Sequence, residues 1–209
     1  LESYYLFCSI LRISCDNIDM QSAYQTVKQG GIVIFPTDTV YGIGCDPYNK
    51  NSVSLLYKIK KREKIKPFPV LGYSKKELEK IAEFNSLATK IAEKFWPGPI
   101  TMILNVKDAD IQESLGLGKK IAVRVPDNIC ALSLLKECKV LVGTSANISD
   151  EASLLDPNEC ETKMPNYDLL IDGGVIISKG ESTIVEIDGD KAKIVREGSV
   201  SEKEIYELN

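Results

Sequence analysis

The sequence predicts an α/β fold: a single domain with a twisted, mixed β-sheet packed with helices. Strand-like and helix-like segments alternate from end to end, which places helices against a sheet. Asp188-Gly189 sits between two short β-type runs and reads as a hairpin, so part of the sheet must be antiparallel. The composition is that of a globular domain, with 44% hydrophobic and 27% charged residues in 209. A chain of this length buries about 70% of its unfolded surface and needs no staple to fold.

The elements follow in order. Tyr4–Ile13 reads as a first strand; Glu2 stands where a signal peptide would carry positive charge. Asp19 is placed to cap a helix that Gly30-Gly31 stops. Ile32–Phe35 is a short buried strand. Ser52–Arg62 is helical, with Val53, Leu56, Tyr57 and either Ile59 or Lys60 on related faces. Phe68–Leu71 reads as a strand, and Ser74 through Glu77 form a capping box before a helix. Ser86 caps a further helix that ends at Trp96-Pro97. Ile100–Val106 and Ile121–Val125 are strands, Ile129–Lys136 a helix, and Val140–Val142 a buried strand. Asp156-Pro157 is an N-cap followed by proline in the first turn. Leu169–Ile171, Thr183–Ile187 and Lys191–Val195 are strands, and Ser201 opens a last short helix. One domain over 1–209 is expected, its motif-bearing core spanning about 20–200.

Composition excludes whole classes of chemistry. There is no histidine, so no Ser-His-Asp or Cys-His catalysis operates here, and no histidine-ligated metal site. The six cysteines form no CxxC pair, so no structural metal is expected. They read as reduced cysteines of a cytoplasmic protein. The apolar runs are too short for a membrane span. The net charge of −4 argues against a dedicated nucleic-acid binder.

Several segments carry chemistry. Phe35–Gly44 packs two threonines, Asp38 and two glycines into the turn after a buried strand, where α/β sheets bind ligands. Lys58–Lys66 holds six basic residues and one acid, suited to polyphosphate or to a helix C-terminus. Phe95–Thr101 reads as a rigid corner holding the single tryptophan in the core. Arg124 lies inside an apolar strand and needs an internal carboxylate or a ligand carboxylate as partner; the ligand is the favoured reading. Val142–Ser149 breaks a buried strand into small polar residues whose backbone N–H groups and hydroxyls suit phosphate. Cys45, just beyond the threonine loop, reads as packing. No P-loop pattern occurs.

In order and wording these segments resemble the threonylcarbamoyl-AMP synthase family, the YrdC-like domain. The pattern appears as Pro36–Gly42, Lys60-Lys61-Arg62, Trp96–Thr101, Ala122–Pro126, Ser145–Asn147, Gly180–Thr183 and Arg196-Glu197-Gly198. The resemblance covers nearly the whole chain and implies a single-domain version. It departs from the family at Glu63, where a proline is usual, at Lys66, at Leu71 in place of a histidine, and at Lys120 in place of a threonine.

The resemblance implies condensation of L-threonine, bicarbonate and ATP to threonylcarbamoyl-adenylate and pyrophosphate, with Mg²⁺ assisting. The product would pass to a tRNA threonylcarbamoyl transferase complex. Lys60, Arg62, Ser145 and Asn147 are implied as the catalytic quartet. Thr39, Arg124 and Ser182 would hold threonine. Lys60, Arg62, Lys66, Lys120, Gly143, Ser145, Asn147, Ser153 and Arg196 would surround ATP. Asp38 is a candidate base for the threonine amine. A competing expectation is a tRNA or double-stranded-RNA binding module using residues 58–66. A third, the carbamoyl-adenylate chemistry of hydrogenase maturation, ranks low because those domains sit in longer cysteine-rich chains.

Overall fold

The computed structural model describes residues 11–15, 20–63 and 66–208. The strands divide between two mixed sheets rather than lying in one central sheet. In the first sheet, β1 (Leu11–Ser14), β9 (Leu169–Asp172) and β2 (Val33–Phe35) run parallel. They are followed by β3 (Gly42–Gly44) and β8 (Thr144–Ser145), both antiparallel to their neighbours. The second sheet has the order β11 (Lys191–Arg196), β10 (Thr183–Asp188), β5 (Ile100–Asn105), β6 (Lys120–Arg124), β4 (Val70–Gly72), β7 (Val140–Val142). β10 and β11 form the antiparallel hairpin expected at Asp188-Gly189.

The sheets meet where β7 runs into β8. Gly143 is the step between them: its N–H donates to Pro69 O at 3.0 Å, and a Cβ there would lie 2.4 Å from the Leu71 side chain. Nearby, a Cβ on Gly44 would lie 1.7 Å from Val142 O, so only glycine lets β3 approach β7 this closely. Alternation along β2 feeds two cores. Val33 and Phe35 face Ala23 and Val27 of α1 (Gln21–Lys28) and Leu134 and Leu135 of α6 (Ile129–Cys138), while Ile34 faces the larger cluster.

Several local expectations shift. The helix expected from Ser52 is α2 (Lys50–Lys60), capped one turn earlier by Asn49, whose side chain accepts from the Asn51 and Ser52 N–H groups. Ser74 caps α3 (Lys75–Leu78) as expected. Asn85, not Ser86, caps α4 (Ser86–Phe95). A helix α5 (Ala109–Leu115) with an Asp108 cap was not foreseen. Asp156 caps α7 (Pro157–Lys163), and Ser201 with Glu204 forms a capping box on α8 (Glu202–Tyr206). The cap expected at Asp19 and most of the first strand lie outside the described residues. Trp96 is half-buried rather than core; its indole N–H donates to Ile100 O at 2.7 Å, and the Trp96-Pro97 bond is cis.

The cysteine expectation is corrected. Cys15 and Cys130 form a disulfide across a separation of 115 residues, tying the end of β1 to the start of α6. The two thiols come together only through tertiary packing, so no sequence spacing announces them. Among the described residues, Cys45, Cys138 and Cys160 are free. Cys45 is fully buried, and desolvation pushes its thiol far above the usual range, as a packing role requires. Among the described residues, no helix is long and apolar enough to cross a membrane.

Candidate active site

A cavity of about 350 Å³ opens where the two sheets meet. Its floor is one face of the second sheet. The pairings Ile103↔Ala122 and Thr101↔Ile184, with period-two alternation, bring Thr101, Ile103, Lys120, Ala122, Arg124 and Ile184 to that face. Its walls are Thr37, Thr39 and Gly42 of the first turn, the step at Gly143–Ser145, and Arg62 with Lys66, Pro69 and Leu71. A second cavity of about 390 Å³ adjoins it, with Lys60, Lys61, Asn147, Ser149 and Asp150 among its lining. Arg62, Lys66, Ser145, Glu181 and Arg196 line both cavities.

Arg124 stands at the inner corner, 7% exposed at its side chain. Its Nε donates to Gly98 O at 3.0 Å, Nη1 to Thr39 Oγ1 at 3.1 Å, and Nη2 to Asp38 Oδ1 at 2.6 Å. The partner in this structure is therefore an internal carboxylate, contrary to the favoured expectation. Among the described residues, each terminal nitrogen keeps one N–H without a partner, and Arg124 still lines the cavity. Burial draws the guanidinium below its ordinary value, and Asp38 opposes that shift. Thr39 is braced by a hydroxyl contact to Thr37 at 3.1 Å, and Thr37 Oγ1 donates to Val40 O at 2.7 Å.

Asp38 does not fit the role of base. Its Oδ1 accepts from Arg124 and from the Asp127 N–H at 3.0 Å, its Oδ2 is sealed from solvent, and it does not line the cavity.

On the opposite wall, Arg196 pairs with Glu181 and donates through Nη2 to Ser182 O at 2.7 Å. Ser182 Oγ contacts Thr101 Oγ1 at 3.0 Å, so both hydroxyls face the cavity together. Glu181 also accepts from Ser153 Oγ. Ser153 thus reaches the site only through Glu181 and lines neither cavity. Lys120 lines the first cavity and lies 3.8 Å from Glu186 and 3.9 Å from Asp188.

Lys60 is placed differently from a simple phosphate ligand. It is 1% exposed, and its ammonium donates to Ser145 O, to Asn147 O at 2.7 Å and to Asn147 Oδ1 at 3.2 Å. All its donors are committed to the Ser145–Asn147 loop. Desolvation, then repulsion from Arg62, lowers it to about 8, and Glu181 counteracts. Asn147 is committed as well, donating to Ile148 O and Glu151 O at 2.9 and 2.6 Å. The backbone N–H groups of Gly143, Ala146 and Asn147 bond to Pro69 O, Tyr41 O and Ser145 O, so they form no open phosphate cradle. Arg62 donates from Nε to Lys66 O at 2.7 Å and lies 5.3 Å over the Phe68 ring. Burial lowers its ordinary value. Of the described basic residues in this segment, Lys60 and Arg62 turn inward, while Lys58, Lys61 and Lys66 stay exposed.

Sequence reasoning missed Glu181 and Thr101 as site residues. Each lay beside a residue that was noticed: Glu181 before Ser182, and Thr101 at the end of the tryptophan corner.

Known proteins share this fold. The Sua5/YciO/YrdC family model, described as telomere recombination, matches residues 25–198. A putative threonylcarbamoyl-AMP synthase of Methanocaldococcus jannaschii is 37% identical over 83% of this chain and 83% of its own length. Sua5 of Pyrococcus abyssi complexed with L-threonine superposes with a TM-score of 0.86 at 28% identity, over 95% of this chain and 60% of that one. This chain therefore spans about three-fifths of that protein. YciO of Escherichia coli superposes with a TM-score of 0.80 at 25% identity, over 91% of this chain and 96% of that one. By the span of its matches, the chain belongs to the Sua5/YciO/YrdC family.

Proposed function

We propose that this chain is a threonylcarbamoyl-AMP synthase, joining L-threonine, bicarbonate and ATP and releasing pyrophosphate. The observation that carries the reading is Arg124, a buried guanidinium with, among the described residues, one uncommitted N–H on each terminal nitrogen, lining a cavity beside the hydroxyls of Thr39, Thr101 and Ser182. Two N–H groups of one planar fork match a carboxylate. The adjoining cavity sets the basic Lys60, Lys61, Arg62, Lys66 and Arg196 against the acidic Glu63, Asp150, Glu151 and Glu181, and the cations Arg62, Lys66 and Arg196, which line both cavities, are the groups suited to a polyphosphate.

The reaction needs no protein nucleophile. The threonine amine adds to bicarbonate, giving a carbamate and water. A carbamate oxygen then attacks the α-phosphorus of ATP, the bond to the bridging oxygen breaks, and pyrophosphate leaves with its electron pair. The protein supplies position and charge. Arg124 on the floor, with Thr39 and Ser182 on the flanking walls, holds threonine. Arg62, Lys66 and Arg196, on the shared wall, face the phosphates. Lys60 acts from behind, fixing the Ser145–Asn147 loop and adding a buried positive charge. Mg²⁺ is substrate-borne in this reading. Mg²⁺ keeps several of its waters and is bound mainly through substrate phosphates in sites of this kind, so the ion would arrive on ATP. The adenylate is then handed, in the cytoplasm, to a tRNA threonylcarbamoyl transferase complex.

The test is pyrophosphate release from ATP and Mg²⁺ with threonine and bicarbonate supplied or withheld. Release that needs both is expected. Release indifferent to threonine would overturn the reading in favour of carbamoyl-adenylate formation or plain ATP hydrolysis.

A further inference from the structure

We propose that Asp38 is the positioning residue of the amino-acid subsite: it fixes the plane of Arg124 so that the two free N–H groups meet a substrate carboxylate. The inference deepens the synthase reading and rests on it for the identity of that carboxylate.

The pair spans the fold. Asp38 lies in the turn between β2 and β3 of the first sheet, and Arg124 ends β6 of the second. The side chains are 13% and 7% exposed and 2.6 Å apart. Three acceptors surround the guanidinium edge: Gly98 O, Thr39 Oγ1 and Asp38 Oδ1. Asp38 alone among them is charged, and its contact is the shortest. It is itself held, since Oδ1 also accepts from the Asp127 N–H at the foot of α6. Among the described residues, Oδ2 is buried without a hydrogen-bond partner. A carboxylate sealed from the cavity on one oxygen and bound to arginine on the other does not exchange protons with substrate. What it does is hold the fork and cancel its charge.

Two substitutions separate these effects. Asp38→Asn keeps an acceptor of nearly the same shape and removes the charge; Asp38→Ala removes both. In pyrophosphate-release kinetics, Asp38→Ala is expected to raise the KM for L-threonine about tenfold or more, leaving the KM for ATP within about twofold, because only the carboxylate contact is disturbed. Asp38→Asn should rise less, about threefold. Discrimination between L-threonine and L-threoninamide, which lacks the carboxylate, should shrink in the same order. Unchanged threonine KM in folded variants, or equal losses for threonine and ATP, would overturn the proposal. If Asp38→Ala fails to fold by circular dichroism, Asp38→Asn decides alone by the same split. Calorimetric L-threonine binding without ATP gives a readout independent of turnover. Wild-type protein that binds threonine but releases no pyrophosphate refutes the synthase reading and leaves the positioning role standing if Asp38→Asn weakens binding. Wild-type protein that binds no threonine overturns both.

Discussion

The cavity is flanked by two arginine–carboxylate pairs of the same chemistry and opposite character. Arg124–Asp38 is closed, its side chains 7% and 13% exposed. Arg196–Glu181 is open, at 42% and 38%. The closed pair joins two sheets and is fenced by Gly98, Thr39 and Asp127. The open pair joins the start of β10 to the end of β11 and touches both cavities. In a low-dielectric corner a charge holds one geometry, and losing its partner costs roughly 3–5 kcal/mol. In a half-exposed pair, solvent screening leaves about 0–1 kcal/mol. The difference suits the two substrates. A small amino acid needs a fixed mould, whereas a flexible polyphosphate needs charge that can regroup around it.

The closed pair gives the largest expected effect. Arg124→Ala should lower kcat/KM for threonine about a thousandfold or more, because a site built to bond a polar group discriminates on that scale. It should also lower the melting temperature, since Asp38 is left buried without its counter-charge. Arg124→Lys should not restore activity, because a point charge does not reproduce the fork. Recovery of more than a tenth of wild-type kcat/KM by Arg124→Lys would show that charge rather than geometry matters there. The closed and open pairs would then differ less than their burial suggests.

Between the pairs lies Lys60, lowered to about 8 by burial. Loss of its proton removes a donor from the Ser145–Asn147 loop and a charge behind the phosphates. At saturating threonine, kcat/KM for ATP should therefore fall about tenfold from pH 7 to pH 9. Stability moves the other way. The folded value lies below the unfolded one, so between about 8 and 10.5 the unfolded chain binds more protons, and this group's contribution to stability rises with pH. A flat activity profile to pH 9.5 would remove Lys60 from the electrostatics of the site.

Much of this site was legible in the sequence, for identifiable reasons. Arg124 inside an apolar strand announces a buried charge, and Lys60 follows the Val53–Leu56–Tyr57 face of α2, so its burial is a matter of helical period. The partner of Arg124 was not legible. Asp38 is 86 residues away and on another sheet, and no local rule chooses between it and a ligand. β3 and β8 were missed because Gly42-Ile43-Gly44 and Thr144-Ser145 have turn composition; they are strands only because each finds its neighbour. For the same reason, the amides of Gly143 to Asn147 looked free for phosphate when sheet and turn pairing had already taken several of them.

The disulfide tests how far the closed pair depends on its surroundings. Cys130 lies in the first turn of α6, just after Asp127 and its cap Asn128. Cys15→Ser opens a loop of 115 residues. The expected loss is about 2–4 kcal/mol. In a chain this long that is roughly 5–15 °C in melting temperature. The threonine KM should stay within about twofold, because Asp127 is held by its own backbone bond to Asp38. Scanning calorimetry with and without reductant, beside threonine kinetics, reads both. A rise in threonine KM on reduction would make the corner redox-sensitive rather than self-contained.

The smallest effect belongs to the open pair, and its sign is the informative part. Glu181→Gln keeps an acceptor for Ser153 but removes a negative charge from the wall shared by both cavities and frees Arg196. If the pair is a loose store of positive charge, the KM for ATP should fall by about twofold to fivefold at low ionic strength, the scale of one exposed ion pair. The gain should vanish toward 1 M salt, where the screening length is about 3 Å. A KM for ATP that rises tenfold and ignores salt would mean that Glu181 holds Arg196 as rigidly as Asp38 holds Arg124. The contrast between an inner mould and an outer, yielding wall would then fail, and burial would no longer be what separates the two sides of the site.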